Sequence, residues 1–283
     1  MAPSPSATSA FFIDSSDGQR FCLLHQPPAG QAILGQVIYV HPFAEEMNAA
    51  RRMAAMQARA LAKAGFVVLQ IDLLGCGDSS GDFADATWNT WLQDLALAQR
   101  WMRKRWPEDP LWWWGLRAGS LLAAQACRAS AVPAHLLLWQ PVLSGKQHLN
   151  QFLRLQMAGD ITRGEPSRGT APLAQLLAQG ASVEVAGYRV SAALAQGLDQ
   201  ADLEGLPVGS QIICLELGSP SAGDSLSPAL SSQLHRWQQA GCTATAHLAE
   251  GAAFWQMQEC PDSEAWVHTS LKALQAASVR GLP

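Results

Sequence analysis

Apolar and polar positions alternate in two different rhythms along the chain. Phe11–Phe12–Ile13 and Phe21–Cys22–Leu23–Leu24 flank the turn residues Ser15-Ser16-Asp17-Gly18, which predicts an opening hairpin. Val37–Val40, Phe66–Ile71, Leu111–Trp114 and Leu136–Trp139 are short, continuous apolar runs, the pattern of strands buried on both faces. Between them lie stretches with helical spacing: about Asn48 to Ala64, closed by Gly65; from a cap at Thr87 or Asn89 to about Trp106; and Ser120 to Ala129. Strand and helix therefore alternate, which predicts a parallel, doubly wound α/β sheet. The rhythm breaks over about 146–205, where helical patches and the polar loop Asp160–Thr170 predict a helical cap inserted over the end of the sheet. Strands return at Gln211–Leu217 and Thr243–Leu248, and helices at about 226–240 and 262–277 complete one domain spanning 1–283.

Composition narrows the function. With 283 residues and 48% hydrophobic content, the chain can bury one large core. The net charge of −4 is spread without a basic stripe, so nucleic acid is not expected as a partner. The N-terminal stretch lacks a basic region followed by an apolar run, and no window has the length of a membrane span. Cys22, Cys76, Cys127, Cys214, Cys242 and Cys260 include no CxxC pair, so neither a metal site nor a disulfide framework is expected, and a reducing, cytoplasmic setting follows. No cofactor is implied. The eleven tryptophans fit a large core or an aromatic-lined pocket, and composition does not choose between them.

Two segments carry a resemblance. Asp72-Leu73-Leu74-Gly75-Cys76-Gly77-Asp78-Ser79 resembles the D-x-x-G-x-G-x-S loop of the α/β-hydrolase superfamily, and Gly115-Leu116-Arg117-Ala118-Gly119 falls between a strand and a helix, where that superfamily places its nucleophile elbow. Pro42-Phe43-Ala44-Glu45-Glu46-Met47-Asn48 with Arg51-Arg52, Leu69 to Ser79, and Trp114 to Gly119 together resemble a bacterial subgroup, the second type of hydrolase associated with the exosortase A system. That resemblance implies the α/β-hydrolase fold, and a bacterium that makes exopolysaccharide and sorts PEP-CTERM proteins. It carries a hydrolase label without a substrate.

The triad implied by the resemblance is incomplete. Serine hydrolysis needs a nucleophile, a base, an orienting acid and two backbone donors for the oxyanion. The elbow centre is Arg117, which cannot attack a carbonyl. The turn expected to carry histidine reads Glu250-Gly251-Ala252-Ala253-Phe254-Trp255; His247 is expected within a strand and His268 on the surface. Asp224 is the nearest candidate acid. Backbone N–H groups at Phe43 (or Ala44) and Ala118 stand where oxyanion donors belong. Ser120 is expected to pack into the core, Ser79 and Ser80 to hydrogen-bond their own loop, and Cys76 has no evident activating histidine. Glu45 and Glu46 follow the oxyanion strand directly, where a carboxylate acts either as a base or as a solvated helix start; helix-face pairing with Arg51 or Arg52 is open to them.

Two readings follow. In one, the protein hydrolyses a small ester or thioester with Glu45 or Glu46 as base and Arg117 holding an anionic group. In the other it is catalytically inactive and binds an anionic small molecule or a partner. An arginine placed at a helix N-terminus adds positive charge to positive charge, so a carboxylate or a bound anion is expected within its reach.

Overall fold

The computed structural model describes residues 7–130, 133–163, 169–219, 223–257 and 263–280. Ten strands run in chain order: β1 Ala7–Ser15, β2 Gly18–Gln26, β3 Gly35–Val40, β4 Phe66–Ile71, β5 Leu111–Leu116, β6 Ala134–Trp139, β7 Val183–Val185, β8 Tyr188–Val190, β9 Gln211–Leu217 and β10 Thr243–Ala249. The helices are α1 Glu45–Lys63, α2 Trp88–Arg103, α3 Gly119–Ala129, α4 Gly145–Arg163, α5 Thr170–Ala178, α6 Ala192–Gln200, α7 Pro228–Gln239 and α8 Glu264–Arg280. Eight strands form one sheet in the order β1-β2-β4-β3-β5-β6-β9-β10. β1 pairs antiparallel with β2 and β2 antiparallel with β4; the remaining neighbours are parallel. This is the α/β-hydrolase arrangement.

The apolar runs become the central strands because both faces are covered. Every residue of β3 and β5 is buried. On β5 the period of two sends Trp113 to one core and Trp112 and Trp114 to the other. The second core is aromatic-rich, with Trp139, Phe254, Trp255 and Trp266 in edge-to-face and tilted contact. Most of the tryptophans are core, and Trp255 is both packed there and part of a cavity wall.

A buried ion pair joins the hairpin to the helical layer. Arg20 on β2, 1% exposed, donates through Nε to Asp94 Oδ1 of α2 at 2.7 Å, and the other carboxylate oxygen accepts the Leu74 N–H at 2.8 Å. The glycine-rich loop after β4 holds itself in a similar way. Ser79 Oγ donates to the Asp72 carbonyl at 2.5 Å and accepts the Phe21 N–H at 2.9 Å, while Ser80 Oγ accepts the Gln19 N–H at 2.9 Å.

The elements differ from the sequence reading in two places and choose between its two caps in a third. α1 starts at Glu45 rather than Asn48, because Ala44 (φ 51°) turns the chain sharply and the two glutamates then occupy the first turn, where the helix dipole favours acids. α2 is capped by Thr87, not Asn89: its Oγ1 accepts the Thr90 N–H at 3.0 Å and the Thr90 hydroxyl accepts the Thr87 N–H at 2.9 Å. The segment from 146 to 205 is not helical throughout. Its β7–β8 hairpin turns on Ala186-Gly187, both at positive φ, the geometry of a tight two-residue hairpin turn. Asp160 to Arg163 continue α4; residues 164–168 of the expected loop lie outside the described residues, as does Cys260.

Candidate functional site

The turn between β5 and α3, where the resemblance implies a nucleophile elbow, carries an arginine at its centre. Arg117 sits at φ 53°, an uncommon conformation for a non-glycine residue that costs on the order of 1–3 kcal/mol. Backbone bonds on both sides hold it: Arg117 N–H donates to the Trp139 carbonyl at 2.9 Å, and the Arg117 carbonyl accepts the Ser120 N–H at 3.0 Å. The flanking glycines permit the turn. A Cβ on Gly115 would lie 2.6 Å from the Ser120 Cα, and one on Gly119 would lie 2.4 Å from the Val40 carbonyl oxygen. Ser120 is fully buried and its hydroxyl donates to the Gly115 carbonyl at 3.3 Å, so it presents no nucleophile to solvent.

Arg117 faces a carboxylate. Its Nε donates to Glu46 Oε1 at 3.2 Å, and the two side chains are 15% and 9% exposed. The guanidinium carbon stands 5.6 Å from the Trp255 ring centre, within cation–π range. Glu45, Glu46, Arg117, His148, Phe43 and Trp255 belong to the wall of one cavity of about 610 Å³, in the size range of small-molecule sites. A second cavity of about 220 Å³ adjoins the other side of Arg117 and His148 and is lined by Glu216 and Ser227.

Burial governs the electrostatics here. It raises the Glu46 carboxyl to about 7, against the pull of the Arg117 charge and hydrogen bond, and Glu45 adds to the rise. Burial raises Glu45 as well. Among the described residues Oε2 of each glutamate is buried without a hydrogen-bond partner. His148 is forced in the opposite direction, down to about 4, by burial and then by the Arg117 charge, so its imidazole is neutral at pH 7; its Nδ1 also lacks a partner among those residues.

The other expected site residues fall as follows. The N–H groups of Phe43 and Ala118 have no acceptor among the described residues, so both donors stay available at the mouth of α1 and at the start of α3. Asp224 is not brought to the cavity: it is exposed, and its carboxylate accepts the Ser219 N–H at 2.7 Å, which closes the loop after β9. His247 lies within β10 opposite Leu215, where burial and Lys272 lower it, and has no contact with Arg117 among the described residues. His268 is exposed on α8. Ala252 and Ala253 precede the 3₁₀ turn Phe254–Gln256 that carries Trp255. Arg51 does not pair with the glutamates; it reaches Asp72 at 3.4 Å and Asn48 at 3.4 Å. Cys76 is buried and its thiol is pushed well above the ordinary range, so no thiolate forms. No group of His, Cys, Asp and Glu suited to a metal ion occurs among the described residues, and none of their helices is long and apolar enough to cross a membrane.

Sequence reasoning missed His148 and Trp255. His148 had no legible signal, because its place depends on how α4 lies across the elbow. Trp255 stood in the expected histidine turn, two residues past Ala253, and could have been read as the side chain filling that space.

Comparison with known proteins places the chain in a family. The family model described as serine aminopeptidase, S33 (Hydrolase_4) matches residues 31–179, more than half of the chain and including the elbow. No curated protein matches. Among solved structures, a thermostable carboxyl esterase from Bacillus coagulans is similar with a TM-score of 0.65 at 15% identity, covering 96% of this chain and 99% of that one. Est1E from Butyrivibrio proteoclasticus with bound ferulic acid follows with a TM-score of 0.63 at 15% identity over 96% and 100%. An α/β serine hydrolase without a lid from Xanthomonas campestris has a TM-score of 0.55 at 18% identity over 100% and 99%. Identities this low establish a shared fold. The family match goes further: the chain belongs to the serine aminopeptidase S33 family of α/β-fold hydrolases.

Proposed function

We propose that this protein is a hydrolase-family member of the exosortase A-associated type, serving bacteria that make exopolysaccharide, and that its cavity holds a small anionic molecule through Arg117 rather than attacking it through serine. The observation that carries this reading is the Arg117–Glu46 pair at the elbow: the position that would carry the nucleophile carries instead a charged, partly buried, partnered side chain, 15% exposed. A guanidinium cannot give up its proton and cannot act as an acyl acceptor. It can grip a carboxylate or phosphate in two places. The N–H groups of Phe43 and Ala118, without an acceptor among the described residues, and the N-terminus of α3 favour the same sign of charge. The segment 146–205 serves as the cap, since His148 and Phe152 of α4 contribute to the cavity wall.

Turnover of an ester or thioester is the second reading, and one feature favours it. Glu46 is a carboxyl poised near neutrality in the cavity wall, where a general base acting on water is best placed. Against it, Glu46 is already bound to Arg117 and its other oxygen is sealed from water.

A thermal-shift screen of metabolites and acyl esters on the purified protein tests the reading, because any ligand of the native state raises the melting temperature whether or not it is turned over. Anionic ligands that stabilise the native protein but not Arg117→Ala support it. Hydrolysis of those ligands with loss of activity in Glu46→Gln would establish turnover. Stabilisation that survives Arg117→Ala unchanged overturns the anion site.

A further inference from the structure

The charged groups of the cavity do not balance once an anion enters. Its wall holds two carboxyls, Glu45 and Glu46, and one guanidinium, Arg117. His148 of α4 is neutral, and Tyr39 of β3, the other titratable group that senses Glu46, is held protonated by burial. The rest of the lining, with Phe43, Gln151, Phe152, Leu155, Trp255 and Gln256 in it, carries no charge. With both carboxylates ionised, one cation faces two anions before any ligand arrives. A ligand anion at Arg117 makes three negative groups around one positive group in a partly desolvated space, where like charges raise one another's proton affinity.

The geometry shows how this is relieved. Glu46 holds Arg117 by Nε alone, and among the described residues the two Nη groups have no acceptor. Among the described residues Glu46 Oε2 is buried without a partner. The remaining wall carries no charge and is mostly apolar, with Phe43, Phe152, Trp255 and, partly exposed at 41%, Leu155, while Gln151 and Gln256 add two neutral amides. The cavity therefore offers a cationic pole and a mostly apolar, uncharged body, with an internal carboxylate already occupying part of the pole.

We infer that the site takes up a monocarboxylate with an apolar body together with one proton, the ligand's carboxylate replacing Glu46 at Arg117 and the proton passing from solvent to the Glu46 carboxyl. The inference rests on the anion-site reading of Arg117 given above and adds the ligand class and its linkage to pH. Glu46 is poised for the step, since its free-state carboxyl already titrates at about 7. Binding raises that value further. Affinity is then full below about pH 7 and falls as pH rises above it, up to tenfold per unit, which amounts to about tenfold between about pH 6 and about pH 8.

The test is calorimetric titration of the full chain with sodium octanoate, at about pH 6 and about pH 8, each in two buffers of different ionisation enthalpy. Octanoate is ionised at both pH values, so a change in affinity reports the protein. The expected result is about tenfold weaker binding at the higher pH with proton uptake approaching one per ligand, octanamide binding that does not change with pH, and no octanoate binding by Arg117→Met. Glu46→Gln, which mimics the protonated acid, should bind at the tighter level at both pH values. If that variant does not fold, the buffer dependence of the native protein decides. Binding that needs Arg117 but is flat with pH and takes up no proton overturns the proton linkage and leaves the anion site standing. Equal binding by Arg117→Met, or no octanoate binding at either pH, overturns both.

Discussion

The guanidinium of Arg117 stands 5.6 Å from the Trp255 ring, so the elbow and the turn after β10 meet across one cavity. A cation from one segment and an aromatic ring from the other share this space. The two side chains fit one another. The cation gains a face to lie against, the ring gains a charge that its quadrupole attracts, and Glu46 supplies the counter-charge from the first turn of α1.

Esterase activity is not expected from a single substitution at this turn. Arg117→Ser places a hydroxyl in a turn that keeps its geometry, but Ala252 and Ala253 provide no base and Glu46 is left without its partner. Triad members act as a unit, so one member alone adds little. Hydrolysis of p-nitrophenyl acetate by the variant should stay at background, with no serine labelled by a fluorophosphonate probe. Strong labelling of the introduced serine would mean that a histidine reaches the elbow after all, with His247 the first to examine.

The Arg117–Glu46 pair should be visible in stability. Removing one partner of a fully buried pair costs about 3–5 kcal/mol; with side chains 15% and 9% exposed, Arg117→Ala should cost less, about 1–3 kcal/mol. Urea denaturation at pH 8 measures it. Because the loss comes from leaving Glu46 charged and unpaired, Arg117→Ala combined with Glu46→Gln should recover most of it, and a purely additive double variant would refute the pairing as its source.

Two buried groups should oppose each other in the pH dependence of folding. Glu46 has a folded value of about 7, above its unfolded value, so its contribution is full below the unfolded value and is lost as pH rises to about 7. His148 has a folded value of about 4, below its unfolded value, so its contribution is present above the unfolded value and is lost as pH falls towards 4. Between roughly pH 4.5 and 6.5 the two slopes have opposite sign and offset one another. Glu46→Gln should therefore steepen the loss of stability on acidification below about pH 6.5, and His148→Asn should make the protein more stable on mild acidification. Denaturant midpoints across that range decide; parallel curves for the native protein and both variants would contradict these environments.

The hairpin depends on its buried cation. Arg20→Met leaves Asp94 charged at 2% exposure, with only the Leu74 N–H to satisfy it, and should destabilise by about 3–5 kcal/mol. Replacing both residues with apolar ones of similar size should cost distinctly less, since neither buried charge then remains. Chemical denaturation of the single and double variants checks this.

Much of the fold was legible in the chain. The continuous apolar runs at Val37–Val40, Phe66–Ile71 and Leu111–Trp114 announce strands buried on both faces, because only a parallel sheet covered by helices hides such runs completely. The Asp72 to Ser79 loop and the Gly115 to Gly119 turn are local: their glycines are needed by contacts close at hand, so short motifs record them. The arginine at the centre of that turn was equally legible. Pairing was not. Glu46 and Arg117 are separated by 71 positions, and what joins them is the register of β3 beside β5 and the sharp turn at Ala44 that starts α1 early. The sequence offered Glu45, Glu46 and two neighbouring arginines on nearly equal terms, and packing selected Glu46 for Arg117 and Arg51 for Asp72. His148 and Trp255 entered the site for the same reason, since side chains from distant elements share a cavity only after the sheet has fixed where those elements end. The proton affinities depend on that cavity too: identical carboxyls take different values according to how much water and charge surround them, and only the folded chain sets those amounts.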